Sequence, residues 1–160
     1  MDEFQARRLV EAYADMILRI SFQYLKHTHD AEDICQTVFL KYLSGNYTFD
    51  SIEHEKAWII RTTINTCKDL VKSAHFRRTV PLEEAKRIAA PASSDPEILD
   101  ALQALPKNYR ISIYLFYYEG YSAREIGQVL RKSEATVNQY LSRARRKLRS
   151  LLTEERRQIV

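Results

Sequence analysis

"YSAREIGQVLRKSEATVNQYLSRARRKLRSLL", residues 121–152, decides the fold of the C-terminal part of the chain. Ser122 and Glu125 have the spacing of a capping box, in which a hydroxyl and a carboxylate bind free backbone N–H groups at the start of a helix. Ser133 begins a second helix, so only two residues are left for the turn between the helices. A short helix, a tight turn and a longer helix predict a helix-turn-helix.

The second of these helices has two contrasting faces. Its apolar residues recur at steps of four and three, which at about 100° per residue places them in one stripe toward the core. They are Val137, Leu141, Ala144, Leu148 and Leu151. Residues 131–149 hold seven basic residues against one acid. Compensation of the helix dipole would explain only about one or two of these charges, because that effect fades within the last turn. The pattern favours binding to DNA phosphates, with polar side chains near the helix start reaching base edges.

The composition predicts an all-α fold with two small domains. Glycine and proline are scarce, with three and four residues in 160, and long stretches show helical periodicity rather than strand alternation. Residues 79–97 contain three of the four prolines and an Ala/Ser-rich patch, which is typical of a linker. We therefore predict an N-terminal domain at residues 1–75, a linker at 76–95 and a C-terminal domain at 96–160. The last range holds twelve basic and seven acidic residues, whereas residues 1–74 hold nine and eleven.

Several other classes of protein are disfavoured. Cys35 and Cys67 lie among apolar residues without a CxxC or Cys/His spacing, so we expect small core residues rather than zinc ligands. We expect no signal peptide and no membrane insertion, because the longest apolar run, residues 111–118, is far shorter than the roughly 20 residues of a membrane span. We also expect a cytoplasmic location, no catalytic residue, no metal and no cofactor.

Two helices are predicted ahead of the helix-turn-helix, which gives the C-terminal domain four short helices. Asp95 and Pro96 have the cap and first-position residue types of a helix start. Pro106 opens the next helix, which we expect to end at Gly120. The residues expected in the core of these two helices are Ile98, Leu102, Leu105, Ile113, Tyr114, Phe116 and Tyr117.

The N-terminal domain is predicted to contain three helices, at about residues 2–25, from Asp30 onward, and at about residues 54–73. The second helix carries acids in its expected first turn, namely Asp30, Glu32 and Asp33. Acids there suit the helix dipole, but they would equally suit docking on a basic partner, and composition leaves these two interpretations about even. The residues expected in the core are Val10, Tyr13, Ala14, Ile17, Ile20 and Tyr24 of the first helix and Ile34, Val38, Phe39 and Leu43 of the second.

The third helix carries two separate stripes. The core stripe consists of Ala57, Ile60, Ile64, Cys67 and Val71. A second face, roughly 130° away, gathers Trp58, Arg61, Thr62, Asn65, Asp69 and Lys72. A single tryptophan on such a face either packs on a neighbouring helix or, beside polar and basic residues, stacks on unpaired bases.

Three segments, in this order, resemble the bacterial sigma-70 family in its small extracytoplasmic-function (ECF) branch. "DAEDICQTVFLKYL" is similar to the polymerase-binding segment of the family's second region, and "AWIIRTTINTCKDLVK" to its promoter-melting and −10-reading helix. Residues 105–152 are similar to the fourth region, which reads the −35 element. The resemblance implies a non-catalytic subunit that binds core RNA polymerase, places it on promoter DNA and helps to open the duplex. ECF relatives are commonly held by an anti-sigma factor, which is a further candidate partner.

The resemblance also implies which residues make these contacts. Polymerase would be bound by Asp30, Glu32, Asp33, Gln36 and Phe39. The −10 strand would be captured by Asn46, Tyr47, Trp58, Arg61, Thr62 and Asn65. The −35 element would be contacted by Ser133, Thr136, Asn138, Gln139, Ser142, Arg143 and Arg146.

The sequence departs from the family pattern in three places. Where the family usually has a glycine in the turn, Arg131 and Lys132 stand, so either a non-glycine residue is left-handed or the turn differs. Residues 138–140 replace a basic, a small and a basic residue, so the promoter sequence cannot be carried over, and phasing puts Tyr140 beside the core. Thr37 replaces a frequent acid of the polymerase-binding segment.

Two other functions fit less well. A helix-turn-helix regulator that binds its operator without polymerase would be a symmetric dimer, and the sequence has no evident dimerisation helix. A nuclease or recombinase would use the acids of the second helix as metal ligands. Asp30 and Glu32 point about 200° apart on a helix, which argues against a shared metal ion.

Overall fold

The computed structural model describes residues 3–25, 28–73 and 96–152, and within these ranges the chain is helical and contains no strand. The predicted all-α fold is confirmed. The chain divides into two compact units, Met1–Ala89 and Ala90–Val160. The expected linker, residues 76–95, lies outside the described residues, as does the expected cap Asp95.

The N-terminal unit packs three helices against one another: α1 (Glu3–Leu25), α2 (Thr28–Ser44) and α3 (Ile52–Val71). Each helix contributes to one apolar core because its inward residues recur at steps of three and four. The fully buried side chains include Leu9, Ile17, Ile20, Phe22, Val38, Ile59, Ile60 and Ile64. The unit is therefore a three-helix bundle that leaves one face of each helix available.

Three expectations for this unit were wrong. Val10 is 49% exposed because it lies one residue, about 100°, past the inward stripe that Leu9 begins. Leu43 is 43% exposed because it lies about 140° around α2 from Val38, which with Ile34 marks the inward stripe. The start of α2 is Thr28 rather than residue 30, so Asp30 alone of the three acids lies in the first turn. Cys67 is buried as expected, whereas Cys35 is half-buried.

The C-terminal unit contains α4 (Pro96–Gln103), α5 (Lys107–Ile113), α6 (Ala123–Leu130) and α7 (Glu134–Leu151), and a π-helical turn (Tyr114–Tyr118) extends α5. Helix α7 packs against the other three helices and supplies the centre of the core. Buried Arg110 joins two of them, because its guanidinium donates to the carbonyl of Leu105, 2.8 Å away, just past the end of α4. The four predicted helices are confirmed.

Two core expectations for this unit were wrong, both at places where regular helix geometry ends. Tyr117 is 60% exposed because it lies within the π-helical turn, whose wider winding changes the angle between successive residues, although Ile113 and Tyr114 are buried as expected. Leu151 is 45% exposed at the end of α7, and the extended Leu152 enters the core instead.

Candidate functional site

Both helices of the helix-turn-helix begin with the caps that the sequence predicts. The Ser122 N–H donates to the Glu125 carboxylate at 3.0 Å, and the Glu125 N–H donates to the Ser122 hydroxyl at 3.1 Å. At the start of α7, the Ser133 hydroxyl accepts from the Thr136 N–H at 3.1 Å. Both caps satisfy backbone donors that the first turn of a helix leaves free, so the two helix starts are fixed locally.

The turn between these helices takes the first of the two forms that the sequence left open. Arg131 has φ 59° and ψ 46°, which is the left-handed region, so a non-glycine residue ends α6. The Lys132 N–H then donates to the Gly127 carbonyl at 2.9 Å. A Cβ added to Gly127 would lie 2.5 Å from the Lys132 carbonyl oxygen, so the turn folds directly onto α6. The sequence feature that permits this close approach is Gly127, a glycine inside the helical pattern of α6.

The two faces of α7 differ as predicted. Val137, Leu141, Ala144 and Leu148 are buried. The outer face exposes Asn138, Gln139, Ser142, Arg143 and Arg146. The hydroxyls of the other two candidates, Ser133 and Thr136, are hydrogen-bonded to each other at 2.9 Å within the cap. Tyr140 is half-buried against Tyr109, 5.8 Å between ring centroids, as its phasing predicted.

Arg145 differs from its basic neighbours on α7. Its Nε donates to the Tyr117 hydroxyl at 2.6 Å, and its guanidinium carbon lies 5.5 Å from the Phe116 ring centroid and 5.3 Å from that of Tyr117. A cation held over aromatic faces is attracted by their quadrupoles. Arg145 therefore ties α7 to the π-helical turn, whereas Arg143 and Arg146 are exposed on the helix surface.

The outward face of α2 carries acids at one end and apolar residues at the other. Glu32, Gln36, Leu40 and Leu43 follow at steps of four, four and three, and all four are exposed. Asp33 is exposed beside them, with one carboxylate oxygen 3.7 Å from Nε2 of His29. The remaining candidates on this helix, Asp30 and Phe39, are half-buried. Glu32 and Asp33 lie beyond the first turn, where a helix dipole has little effect, so capping explains them less well than the sequence suggested.

Four aromatic side chains meet where α2, α3 and the connection between them converge; we call Tyr42, Tyr47, Phe49 and Trp58 the aromatic cluster. The Trp58 ring centroid lies 4.5 Å from that of Tyr47, 5.8 Å from that of Tyr42 and 6.0 Å from that of Phe49. Tyr42 also stacks on Phe49, with centroids 5.8 Å apart. Trp58 is half-buried and Tyr47 is 46% exposed, so packing and an accessible aromatic face coexist here.

The connection that holds Tyr47 and Phe49 is fixed at its end. The Ser51 hydroxyl caps α3 by accepting from the His54 N–H at 3.1 Å. The Asp50 N–H donates to Nδ1 of His54 at 3.1 Å, and the His54 ring packs edge-on against Phe49. Asn46, another −10 candidate, is exposed on this connection, while on α3 Arg61 is exposed and Thr62 and Asn65 are half-buried.

A buried carboxylate lies directly behind the aromatic cluster. Both oxygens of Glu55 accept from the Arg8 guanidinium at 3.0 Å, and each also accepts one tyrosine hydroxyl, Tyr13 at 2.6 Å and Tyr42 at 2.7 Å. Glu55 is 5% exposed. We call these four residues the Glu55 hub; it links α1, α2 and α3, and sequence analysis missed it. The available signal was an acid four residues before buried Ile59, on the inward stripe of α3.

The charge state of the Glu55 hub follows from its hydrogen bonds. Those from Arg8 lower the pKa of Glu55 to about 2, against the opposing effect of burial. Burial and the neighbouring carboxylate raise the pKa values of Tyr13 and Tyr42 above their usual range. At neutral pH the carboxylate is therefore ionised and both hydroxyls are donors.

Across residues 3–25, 28–73 and 96–152, no group of three or more His, Cys, Asp or Glu side chains could hold a metal ion. Within the same described ranges, no helix combines the length and the apolar character needed to cross a bilayer.

Two protein-family models match the chain in sequence order. The model for sigma-70 region 2 matches residues 9–77, and the model for sigma-70 region 4 matches residues 96–148. The first range contains α1, α2 and α3, and the second contains the helix-turn-helix.

Curated relatives agree with these models. The chain is 29% identical over 159 residues to the ECF RNA polymerase sigma factor SigE of Mycolicibacterium smegmatis, covering 91% of this chain and 61% of SigE. It is 29% identical over 140 residues to the RNA polymerase sigma factor SigV of Bacillus subtilis, covering 86% of this chain and 84% of SigV. It thus spans less than two thirds of SigE but most of SigV.

Two solved structures share the fold. CnrH, in complex with the cytosolic domain of CnrY, matches with a TM-score of 0.66 and 24% identity, covering 94% of this chain and 88% of CnrH. The sigma factor RpoE of Bartonella quintana, in complex with the anti-sigma factor NepR, matches with a TM-score of 0.69 and 18% identity, covering 91% of this chain and 94% of RpoE.

Proposed function

Because the chain belongs to the sigma-70 family, in its ECF branch, we propose that it binds core RNA polymerase and directs it to a class of promoters. It acts without a catalytic residue or cofactor, in the cytoplasm where polymerase and promoter DNA meet. In this proposal α2 binds polymerase, the aromatic cluster and α3 capture the −10 strand, and α7 contacts the −35 element.

The observation that carries the DNA-binding part is the outer face of α7. Its exposed polar residues, Asn138 and Gln139, lie near the start of a helix-turn-helix recognition helix, where side chains reach base edges. Exposed Arg143 and Arg146 lie one to two turns further along, where they suit phosphates. Because the opposite face supplies the core, this face is left free for a groove.

The aromatic cluster suits capture of an unpaired strand. Bases stack on aromatic faces with little sequence preference, and basic side chains nearby neutralise phosphates. Tyr47 exposes part of its ring 4.5 Å from Trp58, and exposed Arg61 lies one turn further along α3. The half-buried packing of Trp58 holds the cluster ready, so it does not have to form when DNA opens.

The outward face of α2 suits a basic and partly apolar partner surface. Glu32 and Asp33 provide the negative charge, and Leu40 and Leu43 provide apolar area that core packing leaves exposed. Electrostatic complementarity speeds and orients such docking. An anti-sigma factor that restrains the protein is a further partner in this proposal, in line with the RpoE complex.

The test is run-off transcription with purified core polymerase on a genomic fragment library. We expect discrete transcripts that appear only when both the protein and the core enzyme are present, and their start sites define a shared promoter pattern. Core enzyme alone is the control. Absence of specific transcripts, together with tight duplex binding by the isolated protein, would support a polymerase-independent regulator instead.

A further inference from the structure

Tyr42 belongs to both the Glu55 hub and the aromatic cluster. Its hydroxyl donates to the Glu55 carboxylate at 2.7 Å. Its ring meets Trp58 edge-on with centroids 5.8 Å apart, stacks on Phe49 and lies 6.4 Å from Tyr47. The hydroxyl end of the ring is thus fixed by a buried charge, while its faces and edges contact the candidate strand-capture side chains.

The carboxylate that holds Tyr42 is itself fixed from the other side. Arg8 of α1 binds both oxygens of Glu55 in the two-pronged geometry that a guanidinium offers, at 3.0 Å each. Glu55 lies in the first turns of α3, three residues before Trp58, so its side chain and the tryptophan share one rigid helix segment. Tyr42 comes from α2, so the hydroxyl contact sets the position of an α2 ring against an α3 ring.

Tyr13 provides an internal comparison. Its hydroxyl donates to the same carboxylate at 2.6 Å, and its side chain is buried, yet its ring takes part in none of the ring contacts of the aromatic cluster. Removing either hydroxyl therefore costs Glu55 one donor of the same kind. Only the loss at Tyr42 releases a ring that touches Trp58.

We propose that Glu55 and Tyr42 are positioning residues for strand capture: the carboxylate fixes the Tyr42 ring, and that ring holds Trp58 and Tyr47 in contact with each other, so that the exposed side of this pair can stack on an unpaired base. This inference rests on the proposed function of the aromatic cluster. Neither residue touches DNA in this scheme, because within the aromatic cluster the base stacks on Trp58 and Tyr47. Loss of the Tyr42 hydroxyl leaves every aromatic ring present but lets the cluster adopt other arrangements, which slows promoter opening.

The experiment compares Tyr42→Phe with Tyr13→Phe in reconstituted holoenzyme. Opening is followed with a fluorescent base analogue in the −10 region of duplex promoter, and a premelted template serves as the bypass. We expect Tyr42→Phe to slow opening about tenfold, within the range that the loss of one stacking contact produces. The opening rate of Tyr13→Phe should stay within about twofold of wild type, and the premelted template should restore transcription by Tyr42→Phe holoenzyme.

Trp58 gives a second readout because it is the only tryptophan in the sequence. We expect Tyr42→Phe to change the wavelength or the intensity of Trp58 emission in the free protein, whereas Tyr13→Phe leaves the spectrum unchanged. Thermal melts should fall by similar amounts in the two variants, since each loses one hydroxyl from Glu55. A purely structural Glu55 hub would give equal opening defects in both variants, and that result overturns the inference, as does a Tyr42→Phe chain that fails to fold.

A third variant separates this inference from the function beneath it. If Trp58→Ala holoenzyme opens duplex promoter at the wild-type rate, the proposed role of the aromatic cluster fails and the inference fails with it. If Trp58→Ala slows opening while Tyr42→Phe does not, strand capture stands and only the positioning role is wrong.

Discussion

In the N-terminal unit the candidate DNA-contacting aromatics are packed against one another and tied to a buried carboxylate, whereas in the C-terminal unit most of the candidate side chains of α7 are exposed on its outer face. Trp58 is half-buried and contacts three other rings, while Asn138, Arg143 and Arg146 lie exposed opposite the core. The aromatic cluster is therefore a candidate interface that also takes part in packing, whereas the outer face of α7 is a candidate interface that does not.

This difference decides what a substitution can report. On the outer face of α7, exposed side chains can be removed with little effect on stability, so a change in binding has a direct interpretation. In the aromatic cluster, a loss of function is mixed with a loss of packing unless a matched control separates them.

The largest expected effect is on the stability of the N-terminal unit. Glu55→Ala leaves the Arg8 charge and two tyrosine hydroxyls without their acceptor, which should lower the free energy of unfolding by about 3–5 kcal/mol. Urea denaturation followed by Trp58 fluorescence measures this unit. Glu53→Ala, an exposed acid in the first turn of the same helix, is the control and should change stability by less than about 1 kcal/mol.

The same comparison has a pH dependence. The pKa of Glu55 is lowered from 4.5 to about 2 in the folded chain, so its stabilisation is complete above about pH 4.5 and is lost as the pH falls toward 2. The difference in unfolding free energy between wild type and Glu55→Ala should therefore shrink over that window. A constant difference from pH 7 down to 2 would show that the carboxylate charge contributes nothing.

The next effect concerns polymerase binding by α2. Reversing Glu32 and Asp33 to Lys sets like charges against a basic partner surface, which we expect to weaken core binding by about 3 kcal/mol. The melting temperature should change little because both side chains are exposed and lie beyond the first turn of the helix. Glu11→Lys with Asp15→Lys makes the same charge change on exposed positions of α1 and should retain binding. Equal retention by both double variants in co-purification would remove α2 from the docking surface.

A smaller effect is expected when the tryptophan is removed. Trp58→Ala should slow promoter opening by the equivalent of about 1–3 kcal/mol, the value of one base stacking on an aromatic ring. Because the ring is only half-buried, the fold should survive, and circular dichroism can confirm it. Polymerase binding should persist and a premelted template should restore transcription. Trp58→Phe, which keeps a ring, should lie between wild type and Trp58→Ala.

The smallest effects are expected on α7, where they are also the most direct to interpret. Arg143→Ala and Arg146→Ala should each reduce the salt slope of promoter binding by about one phosphate contact and change stability by less than about 0.5 kcal/mol. Arg145→Ala should instead lower stability and leave the salt slope unchanged, because its guanidinium is held by Phe116 and Tyr117. Salt titrations of holoenzyme binding, beside melts, measure both. If all three substitutions changed the salt slope and the stability alike, the distinction between Arg145, which packs on aromatic rings, and the exposed Arg143 and Arg146 would be wrong.

Local features of the fold were readable from the sequence, and contacts between distant segments were not. The Ser122 and Glu125 cap and the buried stripe from Val137 to Leu148 depend on residues three or four apart, so spacing alone predicts them. Glu55 meets Arg8 from 47 residues away and Tyr13 from 42 residues away, and no periodicity records such a pairing.

Regular phasing also fails where the helix itself is irregular. The expectation for Tyr117 assumed 3.6 residues per turn, but the π-helical turn changes that count within the same segment. In the same way, the candidate −10 residues were assigned to one face of α3 and to Asn46 and Tyr47 of the preceding connection, whereas Tyr42 and Phe49 also belong to the aromatic cluster. Residue spacing predicts which side chains share one face of a helix, but only the packed fold shows which side chains from different segments form a cluster.

At Arg131 in the turn of the helix-turn-helix, the left-handed backbone conformation and the positive charge of the side chain favour different residues. An engineer seeking a more heat-resistant version would choose glycine there, since an L-residue in this conformation costs about 1 kcal/mol. That choice would also remove a positive charge just before α7, the proposed recognition helix. Random mutagenesis scored on survival of heat and mutagenesis scored on promoter occupancy should therefore favour different residues at this single position.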